Sequence, residues 1–135
     1  VIMKLIDNTA GIVAARHCGT NVVTASLDRL DFHSPVFVGD LLHVKASINL
    51  VGRTSMEIGV RVEAEDWRLG CKRHTASASL TFISLDEHYR PTPVPPIVPV
   101  TEDEKRRYEE AKERRHIRLE EKDKEKKRQQ VKENE

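Results

Sequence analysis

The chain has 135 residues, 38% of them hydrophobic and 33% charged, with a formal charge of +1; this suits one ordinary domain with a modest core and excludes a chain disordered throughout. Residues 102 to 135 hold 13 of the 23 Lys and Arg and 12 of the 22 Asp and Glu, leaving ten of each sign before them, so neither half has the basic excess of a nucleic-acid binder. No apolar run nears the roughly 20 residues that span a bilayer, and two distant cysteines, Cys18 and Cys71, fit a reducing, cytoplasmic setting rather than a disulfide framework.

Val1 to His17 reads as a helix apolar nearly all round that still carries Asp7. Such a helix belongs inside a domain, where a carboxylate is paired, protonated or kept for chemistry. Gly19 is the expected terminator, and Ala10, Gly11, Ala14 and Ala15 form a small-residue patch that lets a sheet approach closely. After the helix the apolar period falls to 2. Asn21 to Phe32 places Val23, Ala25 and Leu27 on one face, and Asp40 to Val51 places Leu42, Val44, Ala46, Ile48 and Leu50 on one face. Two more alternating runs follow, Met56 to Ala64 and Ala76 to Phe82. Turn signals at Pro35 and Gly39, at Gly52 to Thr54 and at Leu69-Gly70 keep the connections short. Short connections make the strands antiparallel neighbours, and the class is α+β with a twisted sheet wrapped against one helix.

Prolines at 91, 93, 95, 96 and 99 make Arg90 to Val100 an extended linker along the surface. Thr101 followed by Glu104 is a capping-box pattern. It opens a charged helix that reaches about Gln130, with fraying expected beyond Leu119. Its oppositely charged i,i+4 pairs and lack of a sustained heptad describe a solvated helix rather than a coiled coil. The expected division is therefore 1–90, a linker at 91–100, and a helix at 101–135. No internal repeat is found.

Several motifs stand together in order: Met-Lys-Leu-Ile-Asp-Asn-Thr-Ala-Gly-Ile-Val-Ala-Ala-Arg-His-Cys from Met3, Val-Val-Thr-Ala-Ser from Val22, Asp-Phe-His-Ser-Pro-Val-Phe-Val-Gly-Asp from Asp31, Val-Gly-Arg-Thr-Ser-Met-Glu from Val51, and Val-Pro-Pro from Val94. Together they closely resemble the hotdog-fold acyl-CoA thioesterases, in particular the cytosolic acyl-CoA hydrolase group that includes the brain acyl-CoA hydrolase, over about residues 1 to 115. The resemblance implies an antiparallel sheet wrapped round a central helix, two such domains joined in one continuous sheet, and pairs assembled as a trimer of dimers. It implies hydrolysis of acyl-CoA to a fatty acid and coenzyme A, with Asp7 acting as general base for water or as nucleophile. No cofactor or metal is required; coenzyme A enters only as part of substrate and product. A thioester carbonyl is electrophilic and its thiolate leaves readily, so one base and a few polarising donors suffice.

Two departures accompany the match. The family places a strand and a His-Gly-Gly loop ahead of the Val-Ile-Met-Lys segment, and that loop supplies N–H groups to the thioester carbonyl. The first strand is missing from this sequence, which is expected to be a shortened form of an active enzyme. Asn8 stands where an acid commonly follows the catalytic Asp, but helix neighbours point about 100° apart, so Asn8 faces elsewhere.

The remaining candidates each carry a plain reading beside a functional one. Gly52, Arg53, Thr54 and Ser55 form either a simple hairpin turn or a donor-rich loop for the phosphates of coenzyme A. Lys72 and Arg73 match a basic pair of the family, and either meet the ribose phosphate or pyrophosphate or are merely solvated. Thr24 and Ser26 line the acyl or pantetheine channel, or reflect strand propensity. His17 and Cys18 lack the spacing of a metal site, and nothing near Cys18 in sequence would activate a thiol. His17 instead suits a helix C-terminus, His33 is structural, and Trp67 and Tyr89 are too isolated to stack bases. Two rivals stand beside the hydrolase: a non-catalytic acyl-CoA binding module using the charged helix to engage a partner, and a hydratase of 3-hydroxyacyl thioesters, whose Asp and His pair is not apparent.

Overall fold

The fold is described from a computed structural model in which residues 1 to 133 are placed. It comprises two compact units, Val1–Ile97 and a second that begins at Val98. In the first, helix α1 (Ile2–Cys18) precedes four strands, β1 (Asn21–Phe32), β2 (Leu41–Val51), β3 (Ser55–Asp66) and β4 (Cys71–Leu85). The strands form one antiparallel sheet in the order β1-β4-β3-β2, so the α+β class and the helix-on-sheet arrangement hold.

Helix α1 ends where Gly19 takes a left-handed conformation (φ 67°) and its N–H donates to the Ala15 carbonyl, a conformation that costs glycine little. Its buried stripe is Ile6, Ala10 and Ala14, one residue per turn. Small residues on the helix meet bulky ones on the sheet, with Met56, Ile58, Val62, Leu80 and Phe82 forming the facing core. The all-round apolar helix is nevertheless not enclosed within this one chain. Met3 and Ile12 are 55% and 60% exposed, because a four-stranded sheet covers one side of a helix only.

Strand β1 departs from plain alternation. Register shifts between Thr24 and Ser26 and between Leu27 and Arg29 place Ala25 and Asp28 at bulges, outside the one-to-one register with β4. Each bulge adds a residue and reverses the faces that follow. Thr24, Leu27 and Leu30 therefore lie opposite Phe82, Leu80 and Ala78 on the helix side, and Val23 and Ala25 do not share that face with Leu27. Strand β4 also begins at Cys71, earlier than its apolar run at Ala76, because Lys72, Arg73 and His74 pair with Glu65, Ala64 and Glu63 across the hairpin. That hairpin closes with Gly70 at φ 69°.

The proline-rich segment is tied to the sheet. Thr92 N–H donates to Ser84 O and Val94 N–H to Arg53 O, while Pro95 O accepts from His17 Nε2 at 2.7 Å. Val94 is buried in the core.

The second unit is helix α2 (Glu102–Glu133). Thr101 Oγ1 accepts from Glu104 N–H, and the Glu104 carboxylate accepts from Val100 N–H, so the capping box closes one residue earlier than its usual form. The helix continues without a break past Leu119, with pairs such as Arg106–Glu110, His116–Glu120 and Asp123–Lys127 at i,i+4.

Candidate active site

Asp7 lies in the second turn of α1, next to buried Ile6, and Thr24 lies across from it on β1. Thr24 Oγ1 donates to Asp7 Oδ1 at 2.7 Å. The bulge at Ala25 restores a helix-facing position at Leu27 after Thr24, so hydroxyl and leucine share one wall. Both Asp7 and Thr24 open onto a cavity of about 230 Å³ whose other walls are Met3, Ile6, Leu27, Leu30 and Leu80. The cavity thus has two polar side chains and is otherwise hydrocarbon, an arrangement suited to a ligand with a polar reacting group and an apolar tail. The hydroxyl fixes one oxygen of the carboxylate and leaves the other for a proton or an electrophile.

Ser26 is not brought to this cavity. It stands opposite Thr81 on the other face, where its hydroxyl and that of Thr81 both donate to Asp28, each at 2.6 Å. The Gly52–Ser55 turn is closed by Gly52 N–H donating to Ser55 O. Ser84 N–H also donates to Thr54 O, while the Arg53 side chain is exposed. One transverse row of the sheet runs Thr24, Phe82, Met56, Val51, so this turn adjoins the Asp7 row, with Thr24 and Met56 two strands or about 10 Å apart.

Lys72 and Arg73 sit at the opposite end of the sheet. Arg73 precedes Phe82 by nine positions along β4, or roughly 30 Å, so one chain does not bring them to its own Asp7. Arg73 is also engaged: it donates to Asp40 Oδ2 at 2.7 Å and to Pro35 O, and lies over the Phe37 ring. The Phe37 amide and the Arg73 guanidinium hold the Asp40 carboxyl below the usual carboxylate range. Cys18 contacts Met56 Sδ, and burial pushes its thiol up, the opposite of what a nucleophile needs. Among the described residues no group of three or more His, Cys, Asp or Glu is placed to hold a metal ion. No helix among them is long and apolar enough to cross a membrane.

The cavity-lining leucines escaped the sequence reading because a simple period of 2 hides the two bulges. The usable signal was the spacing Leu27-x-x-Leu30, which alternation does not allow.

Comparison with known proteins decides the family. The thioesterase superfamily pattern matches residues 1–71, including α1, β1 and β2. The chain belongs to the thioesterase superfamily. As a member it is similar to the cytosolic acyl coenzyme A thioester hydrolase of Rattus norvegicus, 46% identical over 114 residues, which are 83% of this chain and 30% of that protein. The chain therefore spans about a third of the length of that curated relative. An apo-hexameric acyl-CoA thioesterase superposes with a TM-score of 0.86 at 40% identity, over 89% of this chain and 77% of its own. The acyl-CoA hydrolase of Staphylococcus aureus, solved with butyryl coenzyme A, coenzyme A and coenzyme A disulfide, gives 0.85 at 35% identity over 93% and 77%. That hydrolase was also solved with an aspartate, and separately a threonine, changed to alanine; the two lie 17 positions apart. Asp7 and Thr24 of this thioesterase superfamily member are likewise 17 apart.

Proposed function

We propose that this protein hydrolyses acyl-CoA thioesters to a free carboxylic acid and coenzyme A, with Asp7 as the catalytic residue. The observation that carries the reading is a carboxylate fixed by Thr24 at the polar end of an apolar cavity, in a pair spaced as in the relative whose aspartate and threonine were singled out by substitution. The acyl chain lies in the cavity with its thioester carbonyl beside Asp7. The free carboxylate oxygen takes a proton from water as the water attacks, or attacks the carbonyl itself; the thiolate of coenzyme A then leaves, and in the second case water cleaves the acyl–Asp7 anhydride to release the acid and restore the carboxylate. Thr24 holds the carboxylate in place throughout.

Coenzyme A phosphates are held by the Gly52–Ser55 loop, which adjoins the Asp7 row. Lys72 contributes from a neighbouring subunit, since its own chain keeps it near the far end of the sheet, while Arg73 fixes the Pro35–Asp40 loop. The assembly is a homo-oligomer, a trimer of dimers, working in the cytoplasm without a metal.

The test is thiol release from a panel of acyl-CoAs by the full-length protein. Asp7→Asn is expected to lower kcat by at least 100-fold. Equal rates for the two proteins remove Asp7 from the chemistry, and tight acyl-CoA binding with no turnover by the wild type replaces the enzyme with a binding module.

A further inference from the structure

We propose that the cavity between the start of α1 and the second half of β1 measures the acyl chain, taking groups of about eight to ten carbons with Leu30 as its floor. This rests on the hydrolase reading above and adds the substrate class to it.

The direction of the cavity follows from its lining. Asp7 and Thr24 mark one end. Met3 is one turn before Asp7 on α1, about 6 Å nearer the N-terminus. On β1 the register carries the wall from Thr24, opposite Phe82, through Leu27, opposite Leu80, to Leu30, opposite Ala78. The start of α1 therefore overlies the far half of β1, and a separate surface recess lined by both Ile2 and Phe32 agrees with this.

The strand register sets the capacity. From Phe82 to Ala78 is four positions of β4, or about 13 Å. An extended chain advances about 1.3 Å per carbon for a C–C bond near 1.5 Å, so about ten carbons fit along it. Leu27 stands only about 7 Å from the Thr24 row, roughly five carbons along the path.

The experiment measures kcat/KM for straight-chain acyl-CoAs from four to sixteen carbons with the full-length protein. In the wild type kcat/KM rises about fourfold per added methylene while the chain is being buried, then stops rising at eight to ten carbons. Leu27→Trp brings that break back to four to six carbons, and Leu30→Ala moves it out by two or more. A profile that keeps climbing through sixteen carbons overturns the proposal, as does a break that neither substitution moves. Leu30→Ala only removes atoms from a half-buried position, so it decides the matter if Leu27→Trp does not fold. No turnover at any length, with Asp7→Asn equal to wild type, refutes the hydrolase itself and is distinguishable from a misplaced break.

Discussion

Replacing Thr24 with Val tests the site through its smallest working part. The β-branched shape is kept and one hydroxyl is lost, so the helix-facing wall is preserved while Asp7 Oδ1 loses the donor now 2.7 Å away. In the empty site Asp7 is exposed and water takes the vacated place, so the fold loses less than about 1 kcal/mol. With an acyl chain in the cavity, water is displaced and the carboxylate is one donor short when the carbonyl is attacked. A hydrogen bond to a charged group in such surroundings is worth about 1.5–3 kcal/mol, which converts to a fall of about 10- to 100-fold in kcat/KM. Thr24→Ser keeps the donor at the cost of a freer rotamer and loses about fivefold or less. Thiol-release kinetics on butyryl-CoA and decanoyl-CoA, with a thermal melt of each variant, read both quantities. In an Asp7→Asn background the Thr24→Val change has little left to remove. A Thr24→Val enzyme within twofold of wild type, or a Ser variant as damaged as the Val variant, refutes the assignment of Thr24 as the residue that positions Asp7.

Two glycines of the first unit predict opposite outcomes in urea denaturation. A Cβ at Gly11 meets only the Phe82 ring, at 3.7 and 4.0 Å, so Gly11→Ala gains helix propensity and stabilises by about 0.5–1 kcal/mol. A Cβ at Gly59 falls 2.5 Å from Asn49 Nδ2, and Asn49 is buried at a bulge of β2. Gly59→Ala therefore costs about 1–3 kcal/mol; shifts of the same sign contradict the packing described. Asp40 supplies a pH dependence. Its folded pKa is lowered, first by the Phe37 amide and then by Arg73, so its stabilisation is full above the unfolded value of about 4 and is lost as pH falls through the lower folded value. Amide exchange at Phe37, compared with Leu80 in β4, is expected to speed up selectively in that acid range. Arg73→Met should remove only part of the effect, because the backbone donor remains.

How far the sequence carried the fold depends on what each signal averages over. The strands β2 and β3 were legible because a half-buried strand writes its two faces as alternation over ten residues or more, and Gly19 because few other residues take its backbone conformation readily. Strand β1 was legible as a strand but not in its faces. Ala25 and Asp28 are bulge residues with no signature of their own, and each turns the pattern over. Asp7 stood out as a charge among apolar neighbours, yet its partner did not: Thr24 is 17 positions away, and a threonine in a strand is unremarkable until the helix is laid on it. The separation of Lys72 and Arg73 from Asp7 is a property of register along β4, which no local pattern reports. The burial of α1 was overstated because a sequence shows how apolar a helix is, not how many of its sides one sheet can reach.

The alternation of prolines between residues 91 and 95 has a consequence for how that stretch keeps its place. A proline nitrogen carries no hydrogen, so only Thr92 and Val94 can give one, and both do, to Ser84 and to Arg53. The segment is keyed like a ratchet: sliding it by a single position sets hydrogen-less nitrogens against the two waiting carbonyls and lifts Val94 out of its seat. Length changes between Tyr89 and Thr92 would thus detach the strap as a whole, whereas exchanges of side chain at the exposed prolines leave it fastened.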